Sequence, residues 1–255
     1  MGDEAAAEPA MVRVETEGRV RRLVLDRPER LNAFTGAGYR ELRVAVEAAT
    51  ADVGVGAVVV TGSGRAFSAG ADRSLLDGSA TAEERSGAGE EFGALLAALD
   101  ACDLPLFAAV NGLAVGFGAT VLLHCDLVVL AASARLRFPF TPLGIVPEAG
   151  SSALLPARGP WGPAAWALLA GGWVDADEAV RLGVAWRVVP DDHLDAEVGE
   201  AAATVAALDR AAVTVTKRLM VAGRDDVVRA AMARELGAMA ALTRSPGDDP
   251  PSSRR

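Results

Sequence analysis

The chain has 255 residues, 51% of them hydrophobic, and a formal net charge of −9. That length suits one large domain, or one domain with an appendage, and so apolar a composition calls for a large core together with buried subunit surface. The acidic balance argues against nucleic acid and anionic membranes, which attract basic patches, but leaves room for a ligand that needs only a few local cations.

Residues 1–10, MGDEAAAEPA, form an acidic tail without a signal-peptide core and read as disordered. Val12, Val14 and Thr16 alternate with charged residues, Glu17-Gly18 turns, and Val20 with Leu23-Val24-Leu25 returns, which predicts a hairpin. Asp26-Arg27-Pro28 ends the second strand, and Arg27, Arg30 and Asn32-Ala33 occupy the loop behind it. Leu42, Val46 and Ala49 recur at helical spacing within a helix over 39–49. Residues 57–61, AVVVT, read as a buried strand. Gly62-Ser63-Gly64 follows, and then Phe67-Ser68-Ala69-Gly70-Ala71-Asp72 leads into Leu75-Leu76. Small, polar and glycine residues over 78–89 predict a mobile loop above a pocket, and 90–102 an amphipathic helix with Phe92, Leu95, Leu96 and Leu99 on one face.

Residues 106–110 are a second buried strand, Asn111-Gly112 breaks it, and Gly116-Phe117-Gly118 opens the apolar run 119–123 as the start of a buried helix. The stretch 104–125 carries no charge and by length alone nominates a membrane span, but Pro105, Asn111 and the glycines exclude one continuous helix. Another buried strand covers 125–131, with Asp126 as a structural cap or ion-pair partner. A short strand over 136–140, a turn through Glu148 into a helix ending at 155, helices over 161–169 and 175–181, and a strand over 184–189 follow. Helices over 194–208, 211–221 and 225–242 and a charged tail complete the chain. This alternation fits an α/β spiral core over 11–190, a helical lobe over 191–243 and a tail over 244–255.

Cys102 and Cys125 lie in apolar runs and read as core residues of a reducing, cytoplasmic protein. Neither they nor His124 and His193 show metal-ligand spacing, and no dinucleotide or P-loop motif occurs, so no metal or resident cofactor is expected. The two strand–glycine–helix junctions carry the chemistry. The first turn of a helix holds N–H groups without intrahelical partners, so two such turns side by side can surround one carbonyl oxygen. Each junction by itself reads more readily as tight packing than as chemistry, and it is the second copy that shifts the balance.

The series LDRPERLNAF (25–34), VVVTGSGRAFSAGAD (58–72), AVNGLAVGFGATVLLHCDLVVLA (109–131) and PFTPLGIVPEAGSSALLP (139–156) resembles the signatures of the crotonase, or enoyl-CoA hydratase/isomerase, superfamily. The resemblance implies a crotonase-like ββα spiral core with a helical C-terminal trimerisation lobe, assembled as a homotrimer or hexamer. It implies a coenzyme A thioester as substrate, contacted around Arg27, Ala33, Ala69, Gly70, Asp72 and Gly116. It further implies that the N–H groups of Ala71 and Phe117 form the oxyanion hole, each such donor being worth about 10²–10³ in rate.

Hydratases of this family use two glutamates, and the matching positions here are Thr120 and Phe140, which counts against efficient hydration. Instead PF…LG…PE…SS resembles the peroxisomal-type Δ3,Δ2-enoyl-CoA isomerases, whose acid/base glutamate corresponds to Glu148. Burial would raise the pKa of that carboxyl and a helix terminus would lower it. The alternatives are hydration, ring isomerisation, thioester hydrolysis or acyl-CoA binding with little catalysis. A serine hydrolase is a further alternative, because Ala66-Phe67-Ser68-Ala69-Gly70 resembles a nucleophile elbow, although 62–65 separates the serine from its strand. Arg65, Arg73 and Lys217 read as exposed surface charges, with CoA phosphates as the other possibility.

Overall fold

The computed structural model describes residues 10–242. The expected tails, 1–10 (apart from Ala10) and 244–255, lie outside them.

β1 (Val12–Glu17) and β2 (Val20–Leu25) form the expected hairpin, running in register from Val12↔Leu25 to Glu17↔Val20. β1 is a sheet edge with charged side chains, a composition that discourages further strand pairing. α1 (Gly36–Ala51) is capped by the Thr35 hydroxyl and buries Leu42, Val46 and Ala49. β3 (Ala57–Gly62) and β4 (Ala66–Ser68) follow, then the single-turn α2 (Arg73–Leu76) and α3 (Ala82–Ala101). β5 (Leu106–Val110) and β6 (Leu113–Val115) lead into α4 (Phe117–Thr120), which tightens into a 3-10 turn over Val121–His124. β7 (Leu127–Ala131), β8 (Arg135–Arg137), α5 (Ser151–Arg158), α6 (Trp161–Ala170), β9 (Trp173–Asp175), α7 (Ala176–Arg181) and β10 (Arg187–Val189) complete the α/β part. Three helices follow: α8 (Leu194–Ala206), α9 (Arg210–Ala222) and α10 (Asp225–Leu242).

Two sheets result, one in the order β1-β2-β3-β5-β7-β10 and the other β4-β6-β8-β9. The pairs β3/β4, β5/β6 and β7/β8 each place one strand in each sheet, and successive turns stack in parallel. This is the physical form of the spiral. β3 and β5 are covered on both faces, which explains why AVVV and LFAAV lack the alternation of a half-exposed strand.

Two asparagine amides, buried Asn32 and half-buried Asn111, pin the corners between the sheets. Asn32, at φ +56, donates from Nδ2 to the carbonyls of Ser63, Ala66 and Phe67 at 2.9, 2.8 and 3.2 Å. Asn111 donates to Gly64 O and accepts from the Gly62 N–H.

Several expectations need correction. The stretch 78–89 is not a loop throughout: α3 begins at Ala82, because Thr81 and Glu84 form a reciprocal capping box. The 136–140 strand is β8, ending at Arg137, and the last strand is confined to 187–189. Lys217 is neither a surface charge nor a phosphate ligand. Its Nζ is buried, donates to Leu104 O at 2.7 Å and pairs with Asp126 at 2.8 Å. Asp126 in turn accepts from the Leu106 N–H at 2.8 Å, so this ion pair ties α9 to the mouths of β5 and β7. The uncharged stretch 104–125 is divided among short strands and turns, and among the described residues no helix is long and apolar enough to cross a membrane.

Breaking a buried ion pair from one side strands the other charge. Lys217→Met is therefore expected to lower unfolding stability by about 3 kcal/mol in urea titrations while leaving CoA-ester affinity unchanged.

Candidate active site

A cavity of about 890 Å³ opens between α3, the β6–α4 junction, the Glu148 turn and α10. Tyr39, Phe92 and Phe117 give it an aromatic floor, with Phe34 fully buried against Tyr39 and Phe117. Phe34 stacks on Tyr39 with ring centroids 5.1 Å apart, and Phe117 meets Phe34, Tyr39 and Phe92 edge-on at 5.2, 5.5 and 5.1 Å. Such a surface suits an apolar ligand and leaves a few polar groups to govern its orientation.

The two junctions meet at one edge of this cavity. Gly70, at φ +83, lies so close to its neighbour that a Cβ added there would fall 3.2 Å from the Phe117 nitrogen and 2.5 Å from Val115 O. Only glycine permits that approach. Ala71 bridges Phe34, but the two ladder bonds use Gly70 O and the Asp72 N–H, leaving the Ala71 N–H outside the ladder. The Phe117 N–H is the first of α4 and has no partner within its helix. Ala69, Ala71, Gly116 and Phe117 all line the cavity.

Glu148 lines the same cavity, and its Oε1 accepts a 2.5 Å hydrogen bond from Thr120 Oγ1. Burial pushes its pKa up to about 8; the Thr120 hydroxyl opposes that shift, and the negative charge of Glu235 adds to it. Of the two opposing influences expected from sequence, burial prevails. The physical reason is the position of the helix: α5 begins at Ser151 rather than at Glu148. Between them the chain turns through two left-handed residues, Ala149 at φ +57 and Gly150 at φ +71. His124 Nε2 meets Ala149 O at 2.9 Å, and burial pulls the imidazole pKa down to about 4. The ring is neutral at ordinary pH, so its Nε2–H donates to that carbonyl.

The remaining candidates divide. Arg27 Nη1 turns to Asp72 at 2.6 Å and to Ala33 O at 3.2 Å, which joins the three residues into one cluster beside the first junction. Burial raises the Asp72 pKa, but the Ser74 N–H and Arg27 outweigh it and hold the carboxyl below its usual range. Arg73 is 90% exposed in its side chain and pairs with Asp77. Ser68 is fully buried, donates to Asn32 O and accepts from the Gly70 N–H, so it stands as a strut rather than an accessible nucleophile. Sequence reasoning missed Tyr39, the one tyrosine of the chain, which lines the cavity and whose hydroxyl pKa is raised by burial and by the charge of Glu148. It also missed the whole contribution of α10, whose Met232, Glu235, Leu236 and Met239 form a wall.

The family model for enoyl-CoA hydratase/isomerase matches residues 15–245. The chain belongs to the enoyl-CoA hydratase/isomerase family. It is 36% identical over 225 residues to a probable enoyl-CoA hydratase of Rhodobacter capsulatus, covering 88% of this chain and 86% of that protein. Identity to the 1,2-epoxyphenylacetyl-CoA isomerase of Escherichia coli is 34% over 181 residues, covering 70% and 69%. The crystal structure of an enoyl-CoA hydratase/isomerase from Pseudoalteromonas atlantica superposes with a TM-score of 0.84 at 38% identity, covering 92% of each chain. As an enzyme of the enoyl-CoA hydratase/isomerase superfamily, the protein has the crotonase fold expected from its motifs.

The raised pKa has a thermodynamic sign. Glu148 is neutral when folded and ionised when unfolded between about 4.5 and 8, so the stability it contributes is complete below 4.5 and is lost as pH rises through 8. Relative to Glu148→Gln, the wild-type protein should lose stability across that window and then level off, as read from urea midpoints at pH 5 and pH 9.

Proposed function

We propose that the protein is a Δ3,Δ2-enoyl-CoA isomerase that works through a single acid/base. The observation that carries this reading is the cavity shared by the Ala71 and Phe117 junctions and Glu148; the family resemblance adds that Thr120 and Phe140 stand where hydratases have their two glutamates. Ionised Glu148 takes a proton from carbon 2 of a 3-enoyl-CoA. The electron pair moves into the thioester carbonyl, and the resulting dienolate oxygen is held by the Ala71 and Phe117 N–H groups. Protonated Glu148 then returns the proton at carbon 4, the double bond now lying between carbons 2 and 3. A carboxyl with its pKa near 8 is well matched to this exchange near neutral pH. The Thr120 hydroxyl fixes the rotamer of Glu148, and the aromatic floor takes up the acyl chain.

Hydration of a 2-enoyl-CoA is the second reading, favoured by the name of the Rhodobacter capsulatus relative. It requires a group to orient water opposite the acid/base, and a threonine and a phenylalanine at the corresponding positions supply no second carboxylate. Exposed Trp161, Trp166, Leu169, Trp173 and Trp186 support self-association of a cytoplasmic protein as a homotrimer or hexamer.

Turnover of 3-enoyl-CoA and 2-enoyl-CoA at several chain lengths separates the readings. The 3-enoyl esters are expected to be isomerised, with kcat/KM rising with pH through about 8 and then reaching a plateau. Glu148→Gln should reduce that rate by about 10³-fold or more while CoA-ester binding persists. Undiminished isomerisation in this variant, or water addition as the faster reaction, overturns the proposal.

A further inference from the structure

The helix that follows Glu148 has an unusual occupant at its start. The N-cap of α5 is Gly150, which has no side chain to offer, yet two N–H groups at this terminus are satisfied. Gly150 N donates to Glu235 Oε2 at 2.7 Å and Ser152 N donates to Glu235 Oε1 at 2.9 Å. Glu235 belongs to α10, more than eighty residues further along the chain, and it is 7% exposed. A buried carboxylate with each oxygen on a backbone N–H at a helix N-terminus is well compensated. Glu148 stands three residues before the helix and is the nearer carboxyl in sequence, but it is bonded to the Thr120 hydroxyl instead.

We infer that Glu235 is a positioning residue for Glu148: by occupying the α5 terminus it keeps that terminus from capturing Glu148, holds the 148–152 turn from the α10 side, and leaves Glu148 facing the cavity beside a like charge. A carboxylate captured at a helix terminus is a weak base, because the N–H groups stabilise its charged form. Placed off the terminus and near another negative charge, the same group keeps a high proton affinity. His124 grips the turn from the opposite side through Ala149 O, and Ser151 Oγ donates to Glu148 O at 2.6 Å, so the turn is held at successive residues. The titratable and charged groups around the cavity are Tyr39 on α1, Arg85 and Asp100 on α3, His124 beneath the turn, and Arg229 and Glu235 on α10. Of these, Glu235 is the negative charge that acts on the Glu148 equilibrium. The inference rests on the proposed role of Glu148 only for its kinetic consequence; the electrostatic one is independent of any reaction.

The test is a ¹³C-carboxyl NMR titration of the glutamate-labelled full-length protein, with Glu148 assigned by the signal lost in Glu148→Gln. In Glu235→Gln the Glu148 midpoint is expected to fall by about one unit or more from the wild-type value, roughly a tenfold loss in proton affinity. The pH limb of kcat/KM for 3-enoyl-CoA should move by the same amount, with KM for the ester little changed. An unmoved Glu148 midpoint overturns the inference, even if activity falls. A midpoint that moves while Glu148→Gln retains full turnover upholds the positioning role and rejects the catalytic one. If Glu235→Gln does not fold, the wild-type protein decides: the Glu235 carboxyl signal should inflect at the Glu148 midpoint, and a flat response there overturns the inference.

Discussion

Backbone packed directly on backbone is the constraint from which the site derives. The turn before α2 and the turn before α4 approach so closely that Gly70 has Val115 O where a Cβ would be, and Gly118 has Ser68 O within 2.2 Å of the same position. No side chain fits between these turns, and Ala71 and Phe117 both line the cavity beside them. Ser68 and Asn32 brace the contact from below by hydrogen bonds to the chain, not to one another's side chains. Under the proposed function, a pair of main-chain donors held in this way would need no reorganisation when charge develops on a ligand oxygen.

The second organising feature is the separation of two carboxyls by environment. Glu148 and Glu235 both border the cavity, but backbone N–H groups compensate Glu235 whereas a single hydroxyl compensates Glu148. The contrast gives Glu235 a backbone partner at each oxygen and leaves Glu148 able to exchange a proton near neutral pH. The left-handed pair Ala149-Gly150 lets the chain leave the cavity and enter α5 without drawing Glu148 onto the helix axis. Strain at a non-glycine left-handed residue is sustained here because His124 and Glu235 hold the turn on both sides.

Much of this was legible from local patterns. The apolar runs of β3, β5 and β7, the glycine punctuation at both junctions and the alternating hairpin are properties of short segments, and they determined the α/β class and the place of the two strand–glycine–helix junctions. The Thr81/Glu84 capping box was equally local, yet the glycines and polar residues around it suggested a loop; a capping box and the packing of α3 on α1 outweigh the low helix propensity of glycine. Lys217 looked like any helix-surface cation, because nothing within its own turn indicates that Asp126 and Leu104 O, about a hundred residues away, await it.

By itself, then, the sequence determined the α/β class, the two strand–glycine–helix junctions, the family to which the chain belongs and the choice of Glu148 among the glutamates that follow the second junction. Tertiary structure alone decided what that glutamate is like. Whether burial or a helix dipole governs a carboxyl depends on which atoms lie within a few ångströms of it, and here those atoms come from α4, from the turn at His124 and from the far end of the chain in α10. Proton affinity is set by distances in space, and the residues that set it for Glu148 are not its neighbours in sequence.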